Sequence, residues 1–540
     1  MGTVLTGSDP RIPEALLDPA AYPHAATDIR LIETHISWVL LAGEFAYKLK
    51  KPVNLGFLDF SRLEQRLHFC REELRLNRRL APSMYLDVAP LRRTERGLRF
   101  SEVCAEAKDP LADSPAQESP VVEYAVRMRR FAQDAQLDRQ LAAGNLEPSD
   151  MESMAALVAG FHKQAARIPA ASDWGTPDAV VAPVRENFAQ LGQFLDTPGL
   201  ARLERWSKTT FARLELRFAV RRAAGFVREC HGDLHLRNMA RSGDGFIAFD
   251  GIEFEPALRW IDIFSDLAFL VMDLESRGHR DLAWRLLNHW LAITGDYAGL
   301  DLLPWYLVYR HLVRAKVDGI RLQQSGTDAA EQEYLRQRID RHLALAEATA
   351  QPGNAGMAPA LLMTCGLSGS GKSWLARELS GLLPAIVLRS DIERKRMFGP
   401  GRKDGPLDQG IYSHQSTAFT YARLRDLARA VLRSGHTVIV DASFLKPDRR
   451  APFIELAGQL GANYLWLRCE APSGVLQQRV AARAQAGDDP SDAGPDVLAA
   501  QLEAVELPAA DSAQTLTVCT DDTLDYQGLL KQIHERLGAS

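Results

Sequence analysis

Hydrophobic and polar positions along the chain fall into three regimes. Residues 36–41 and 44–53 are short apolar-rich runs joined at Gly43, and 61–80 has the charge density and apolar spacing of a helix. From about 150 to 345 the spacing is mainly helical, broken between 230 and 254 by two short apolar runs around the turn Ser242-Gly243-Asp244-Gly245. Beyond 360, apolar runs of strand length at 361–365, 386–388, 437–440 and 463–467 alternate with amphipathic helical segments, which predicts a doubly wound parallel sheet. Residues 348–359 carry no period, contain Pro352-Gly353-Asn354, and read as an interdomain linker. The expected organisation is therefore a bilobal α+β domain over 1–347, with an N-lobe at about 25–130 and a C-lobe at about 131–347. The linker 348–359 and an α/β domain over 360–540 follow it.

Composition narrows this only slightly. With 540 residues, 46% hydrophobic and 25% charged, the chain is an ordinary globular sequence too long for one core. The net charge of −5 gives no global attraction to nucleic acid or an anionic membrane. Locally, residues 386–436 carry ten Lys/Arg against five Asp/Glu, an excess suited to an anionic acceptor or to a solvated helix surface. No run approaches 18 apolar residues, since the richest stretch, 267–272, is bracketed by Asp266 and Asp273; no membrane partner is expected. Six scattered cysteines with no C-x-x-C spacing read as buried thiols of a cytoplasmic protein, with neither disulfides nor zinc.

The strongest short motif is Gly366-Leu367-Ser368-Gly369-Ser370-Gly371-Lys372-Ser373, a complete G-x-x-x-x-G-K-[ST] between a strand-like run and Leu375, Leu379 and Leu382 at helical spacing. Its glycines let backbone N–H groups approach phosphate oxygens at a helix N-terminus. Lys372 supplies a cation to the β/γ-phosphates and Ser373 a hydroxyl to Mg²⁺, with ATP the expected nucleotide and the choice between ATP and GTP left open by the sequence. Asp391, after the second strand, is placed to accept the proton of an attacking hydroxyl, and Asp441 ends a strand as a Walker B carboxylate near the metal. Arg479 and Arg483, four apart on a helix, are expected to face the transferred phosphoryl, and 487–495 reads as a lid. This third of the chain resembles the small P-loop kinases typified by gluconate kinase, chloramphenicol phosphotransferase and the 5′-hydroxyl polynucleotide kinases.

A second constellation begins at Cys230-His231-Gly232-Asp233 and runs to Asn238, with Asp250 beyond one hairpin. Five residues from Asp233 to Asn238 let a carboxylate and an amide converge on one cavity, as a base and a metal ligand must. The segment resembles the H-G-D-x-x-x-x-N signature of aminoglycoside phosphotransferases and the related choline- and homoserine-type kinases. That resemblance implies Asp233 as catalytic base and Asn238 and Asp250 as Mg²⁺ ligands. It also calls for an ATP-binding lysine and a helix glutamate, best matched by Lys48 and Glu73; Lys50 shares the strand face of Lys48, and Glu72 adjoins Glu73. His231 reads as a structural hydrogen-bonding residue and His235 as facing solvent. No G-x-G-x-x-G precedes Lys48.

Residues 43–61, 249–273 and 309–317 together resemble a bacterial family in which an aminoglycoside-phosphotransferase-like domain is fused to a P-loop ATP-binding domain. The resemblance implies a bifunctional ATP-dependent phosphotransferase acting on small-molecule hydroxyls, with a nucleic-acid 5′-hydroxyl as the other acceptor class for the C-terminal domain. The alternative is a regulatory protein whose kinase-like domain senses a ligand while the P-loop domain hydrolyses ATP. The sequence leaves both acceptors and the oligomeric state open.

Overall fold

The computed structural model describes residues 12–54, 58–101, 119–169, 171–195, 197–243, 245–324, 327–351, 358–399, 413–486, 494–503, 505–521 and 523–538. By contacts the chain divides into two compact units. The first comprises Met1–Glu147, Gly160–Ala182 and Glu215–Leu270, and the second Pro148–Ala159, Pro183–Leu214 and Val271–Ser540. The division does not follow chain order: residues 271–347, grouped from the sequence with the first domain, share a unit with the P-loop segment.

In the first unit six antiparallel strands form one sheet, β1 (Arg30–Glu33), β2 (Ser37–Ala42), β3 (Phe45–Lys50), β4 (Tyr85–Thr94), β5 (Gly97–Phe100) and β6 (Val121–Arg129), in the order β1-β2-β3-β6-β4-β5. Successive side chains point to opposite faces. Leu40, Tyr47, Leu49 and Ala125 pack into one apolar cluster, and Leu41, Ala46, Tyr124 and Val126 into another. The helix Leu63–Asn77 lays Leu67 and Cys70 on the second cluster, and Lys48 and Lys50 share the strand face of Ala46. The same helix buries Arg66, Cys70, Glu73 and Asn77, spaced four, three and four apart, as a single stripe. Two small ribbons also belong to the unit: β7 (Val227–Glu229) pairs with β10 (Trp260–Asp262), and β8 (Met239–Ser242) with β9 (Gly245–Ala248).

The second unit holds a parallel sheet of β11 (Leu361–Cys365), β12 (Ala385–Arg389), β13 (Thr437–Asp441), β14 (Tyr464–Glu470) and β15 (Thr515–Cys519), ordered β12-β13-β11-β14-β15. β11, β12 and β13 are buried along nearly their whole length, as parallel strands covered on both faces must be. The helix Ala329–Ala350 runs beyond the expected end of its pattern near 345 into the segment read as linker, of which 352–357 lie outside the described residues. Of the cysteines, Cys70, Cys230, Cys365 and Cys469 are buried free thiols, but Cys519 is exposed, because it closes the edge strand β15 on its outward face; Cys104 lies outside the described residues. Among the described residues no helix is long and apolar enough to cross a membrane.

The edge of this sheet at β12 is closed by a side chain. Asn288, on the helix Arg280–Thr294, donates from Nδ2 to Ala385 O (2.9 Å) and accepts at Oδ1 from Val387 N (2.7 Å), so its amide takes the place of a neighbouring strand. Alongside, Arg285 pairs with Glu378 at 3.0 Å on the helix Lys372–Leu382. A Cβ at Gly381 would sit 3.1 Å from Asp281 O, so the close approach of the two helices depends on that glycine. Asn288→Ala is expected to cost about 1–3 kcal/mol, because it strands a buried N–H and a buried C=O together. Urea unfolding of the full chain measures this; an unchanged midpoint would refute the pairing.

A buried histidine pair joins the helix Leu303–Leu322 to Ala329–Ala350: His311 Nδ1 and His342 Nδ1 are 3.1 Å apart, so one must donate and the other accept. Burial drives His311 down to about 3, and burial with the neighbouring His311, Arg314 and Arg338 drives His342 to about 2, opposed in both by Asp273. Both imidazoles are neutral in the folded chain at ordinary pH, whereas in the unfolded chain they take up protons near pH 6.5. Stability from this pair is therefore complete above about pH 6.5 and falls as pH drops below it, by about 1.4 kcal/mol per pH unit for each ring. Thermal midpoints between pH 7.5 and 5 should fall less steeply for His342→Gln than for the parent; equal slopes would overturn the assignment.

Candidate active sites

In the first unit the loop after β7 carries the H-G-D segment, and its backbone is held by Asp266. The Asp266 carboxylate accepts from His231 N (3.2 Å) and Gly232 N (2.9 Å) and meets His162 Nε2 at 3.2 Å. Burial alone would raise the Asp266 pKa, but the hydrogen bonds from His162 and from Gly232 N outweigh it and keep the carboxylate ionised. Gly232 has φ +85°, and a Cβ there would lie 2.7 Å from Leu258 O, so this turn admits only glycine. His231 is buried and lowered in pKa by that burial; it is a neutral imidazole whose Nε2 lies 3.0 Å from Phe249 O.

This loop is stitched to the turn after β9. Phe249 N donates to Asn238 O (2.9 Å), Ile252 N to His231 O (3.0 Å) and Asp250 N to the Tyr85 hydroxyl (3.1 Å), while Asp250 itself has φ +62°. A left-handed aspartate is sparsely populated, and such strain concentrates at functional sites. Asn238 donates from its amide nitrogen to Asp233 Oδ2 (2.9 Å) and Asp233 O (3.1 Å). His235 departs from its expected solvent exposure: it is buried edge-on against Phe269 at 5.3 Å, with Nε2 3.3 Å from Asp233 Oδ2. Packing of the loop on Phe269, a contact distant in sequence, decides this.

The choice among neighbouring lysines and glutamates has a shared answer. Glu73 Oε1 takes Lys48 Nζ at 2.8 Å and Glu73 Oε2 takes Lys50 Nζ at 2.5 Å, while Glu72 pairs with Arg75 nearer the surface. Lys48 also reaches Asp250 Oδ1 at 2.5 Å, and Lys50 reaches Glu253 Oε1. Burial opposes the charges, yet Asp250, Glu73 and Glu253 hold the Lys48 ammonium well above its usual range, and the two lysines hold Glu73 down to about 2. Lys48, Glu73 and Asp250 are thus in direct contact. Lys50, the neighbour that the sequence left open beside Lys48, is thus engaged as well, whereas Glu253, three positions after Asp250, carries no site role in the sequence reading.

In the second unit Gly366–Ser373 links β11 to the helix Lys372–Leu382. Gly366 (φ +142°), Gly369 (φ +82°) and Gly371 (φ +77°) all take backbone conformations that L side chains rarely adopt. A Cβ on Gly366 would lie 2.5 Å from Cys469 O. Lys372 Nζ donates to Leu367 O at 2.7 Å, curling over the loop. Burial lowers the Lys372 pKa, with Asp441, Cys469 and Asp391 opposing and Arg483 adding to it, so these groups share its electrostatic surroundings. Asp441 ends β13 opposite Arg389 of β12; its carboxylate accepts from Thr364 Oγ1 (3.3 Å) and meets Arg389 Nε at 3.5 Å. Asp391 lies in the first turn of the helix Ser390–Phe398.

The two arginines of the helix Ser473–Ala486 separate. Arg479 is engaged with backbone and hydroxyl groups: Thr520 O at 2.7 Å, Thr520 Oγ1 at 3.1 Å and Gly369 O at 3.4 Å. The positive charge of Arg483 is among the influences that lower the Lys372 pKa. Of the expected lid, 487–493 lie outside the described residues. A cavity of about 440 Å³ opens beside the loop, lined by Leu367, Ser370, Glu470, Pro472 and Asp521 among others.

The two units carry two distinct sites: in the first, an antiparallel sheet with a lysine–glutamate pair and an H-G-D loop, and in the second, a P-loop on a parallel sheet. The AAA domain family matches residues 361–508. An uncharacterised protein of Mycobacterium tuberculosis is 33% identical over 476 residues, covering 86% of this chain and 89% of that one, and an uncharacterised Mycobacterium bovis protein matches equally. The chain belongs to the family of these mycobacterial proteins. Among solved structures, a choline/ethanolamine kinase family protein from Mesorhizobium loti covers 62% of this chain and 98% of its own at 14% identity and a TM-score of 0.37. A putative kinase from Chloroflexus aurantiacus covers 34% of this chain and 100% of its own at 22% identity and a TM-score of 0.28.

Proposed function

We propose that the chain is a bifunctional ATP-dependent phosphotransferase of the cytoplasm, each module moving a γ-phosphoryl to a hydroxyl. The observation that carries this reading is the convergence, within each unit, of a lysine suited to phosphate with oxygen donors suited to a hard divalent cation. In the first module Asp233 takes the acceptor's hydroxyl proton as that oxygen attacks the γ-phosphorus; the bond to the β-bridging oxygen breaks and ADP leaves. Lys48, held by Glu73, meets the phosphates, and the Asn238 oxygen and the Asp250 carboxylate hold Mg²⁺. When bound, that ion neutralises phosphate charge.

In the second module Asp391 is the base, the loop 366–373 with Lys372 cradles the phosphates, and Ser373 and Asp441 hold the metal. Arg483 stabilises charge on the moving phosphoryl, while Arg479 braces the loop against Thr520. The first acceptor is a small-molecule alcohol. For the second, the basic segment 386–436 supports an anionic molecule, either a sugar acid or a nucleic-acid 5′-hydroxyl end.

Full-length protein screened for ATP consumption against hydroxyl metabolites and 5′-hydroxyl oligonucleotides should show two separable activities. Asp233→Asn should lower one by about 10²–10⁴-fold and leave the other. Lys372→Ala should do the reverse. If either substitution abolished both activities, two independent sites would be untenable.

The separation of the arginines leads to a second expectation. Arg483→Ala should reduce kcat of the P-loop activity by about 10³-fold with little change in nucleotide affinity, as for a cation acting on transition-state charge. Arg479→Ala should weaken nucleotide binding and lower the thermal midpoint, since it releases the loop. Identical kinetic effects of the two would reverse this assignment.

A further inference from the structure

Lys50 and Glu253 lie beside the first site without taking part in the chemistry assigned to it, and both are buried: Lys50 is 0% exposed and Glu253 4%. Lys50 sits over the Phe60 ring, 5.4 Å from its centroid, in a neighbourhood that also holds Val53, Leu58 and Phe254. An aliphatic residue would fill this place without desolvating a charge, and replacing buried ion pairs by apolar groups of similar volume is often neutral or stabilising. The pair therefore calls for a reason other than stability, and its geometry supplies one.

We propose that Lys50 and Glu253 are positioning residues of the first site, fixing the orientation of the Glu73 carboxylate and the register of the Asp250 turn against β3. The proposal rests on the reading of that site as one that binds a magnesium nucleotide. Glu73 has two carboxylate oxygens, and each holds one lysine, Oε1 with Lys48 and Oε2 with Lys50. With Oε2 occupied, the carboxylate has one orientation and presents a single oxygen to Lys48. Without Lys50, both oxygens would compete for the Lys48 ammonium and draw it back from the phosphates.

The second element is a pair of rungs. Lys48 and Lys50, two apart on one face of β3, bond to Asp250 and Glu253, three apart on the turn after β9. For Asp250 to take a metal and Lys48 a phosphate, the first rung must open. The second does not face that demand, because neither Lys50 nor Glu253 is a ligand, so it keeps the strained Asp250 turn in place while its neighbour exchanges partners. Buried charge pairs resist such rearrangement because an unpaired buried charge is costly.

The test uses full-length protein carrying Lys372→Ala, which silences the P-loop site, and measures binding of a fluorescent ATP analogue as a function of Mg²⁺. In that background Lys48→Ala should remove the binding. Glu253→Gln and Lys50→Met should each weaken it at least tenfold and raise the Mg²⁺ concentration needed for half-saturation. Lys50→Met leaves the buried Glu253 carboxylate alone and so lowers the thermal midpoint as well, whereas Glu253→Gln leaves Lys50 its Glu73 partner and should lower it less. The double variant Lys50→Met/Glu253→Met leaves neither of the two unpaired; its midpoint should recover while nucleotide affinity stays at least tenfold weaker. A double variant that is stable and binds as tightly as its parent would overturn the positioning role and mark the pair as structural. If the Lys372→Ala protein bound no nucleotide, or bound it equally well with Lys48→Ala, the nucleotide reading of the first site would fall instead, and the proposal with it.

Discussion

Burying a charge is tolerated only when an opposite charge meets it at close range, and the first unit is arranged around that constraint. Glu73 is fully buried and carries a lysine on each oxygen. One helix therefore fixes both the cation expected to meet phosphate and the strand that bears it. The stripe above and below Glu73 acts similarly: Arg66 closes on Glu123 at 2.9 Å, and the Asn77 amide receives Gly251 N at 2.8 Å. From this stripe the Asp250 turn, and through it the Asp233 loop, take their places.

The second unit handles charge in the opposite way. Its key cation, Lys372, is held by a backbone carbonyl, and burial depresses its pKa. An ammonium so placed gains most from a polyanionic phosphate, whereas Lys48 must give up a carboxylate to meet one. The glycines of the loop and the Thr364–Asp441 contact form this cradle from backbone geometry and neighbouring strands more than from paired side chains.

How much was legible in the sequence follows from these two designs. The P-loop is local: strand, glycines, lysine and helix are contiguous, and the parallel sheet around it appears as apolar runs because both faces are covered. The hairpin of β2 and β3, the helix bearing Glu73 and the H-G-D loop were also readable from local pattern. The strands β4–β6 were not read, since β4 mixes buried and half-exposed residues without alternation, as do both faces of a sheet with two cores. Nor could local pattern disclose that Arg66, Glu73 and Asn77 are buried, because their partners lie 57 residues away or more, or on another strand. His235, Glu253 and Asn288 escaped for the same reason: a polar residue looks solvated until a remote partner is known.

Asn288 has an implication for how such a chain is inherited. The strand it closes is the outermost of a parallel sheet, and an open strand edge is a template for pairing with other polypeptides. A gene split at the apparent linker would release a P-loop fragment with that edge bare, prone to aggregate rather than to circulate as an independent module. Selection for solubility alone would then keep the two halves on one reading frame, whatever chemistry they have come to share.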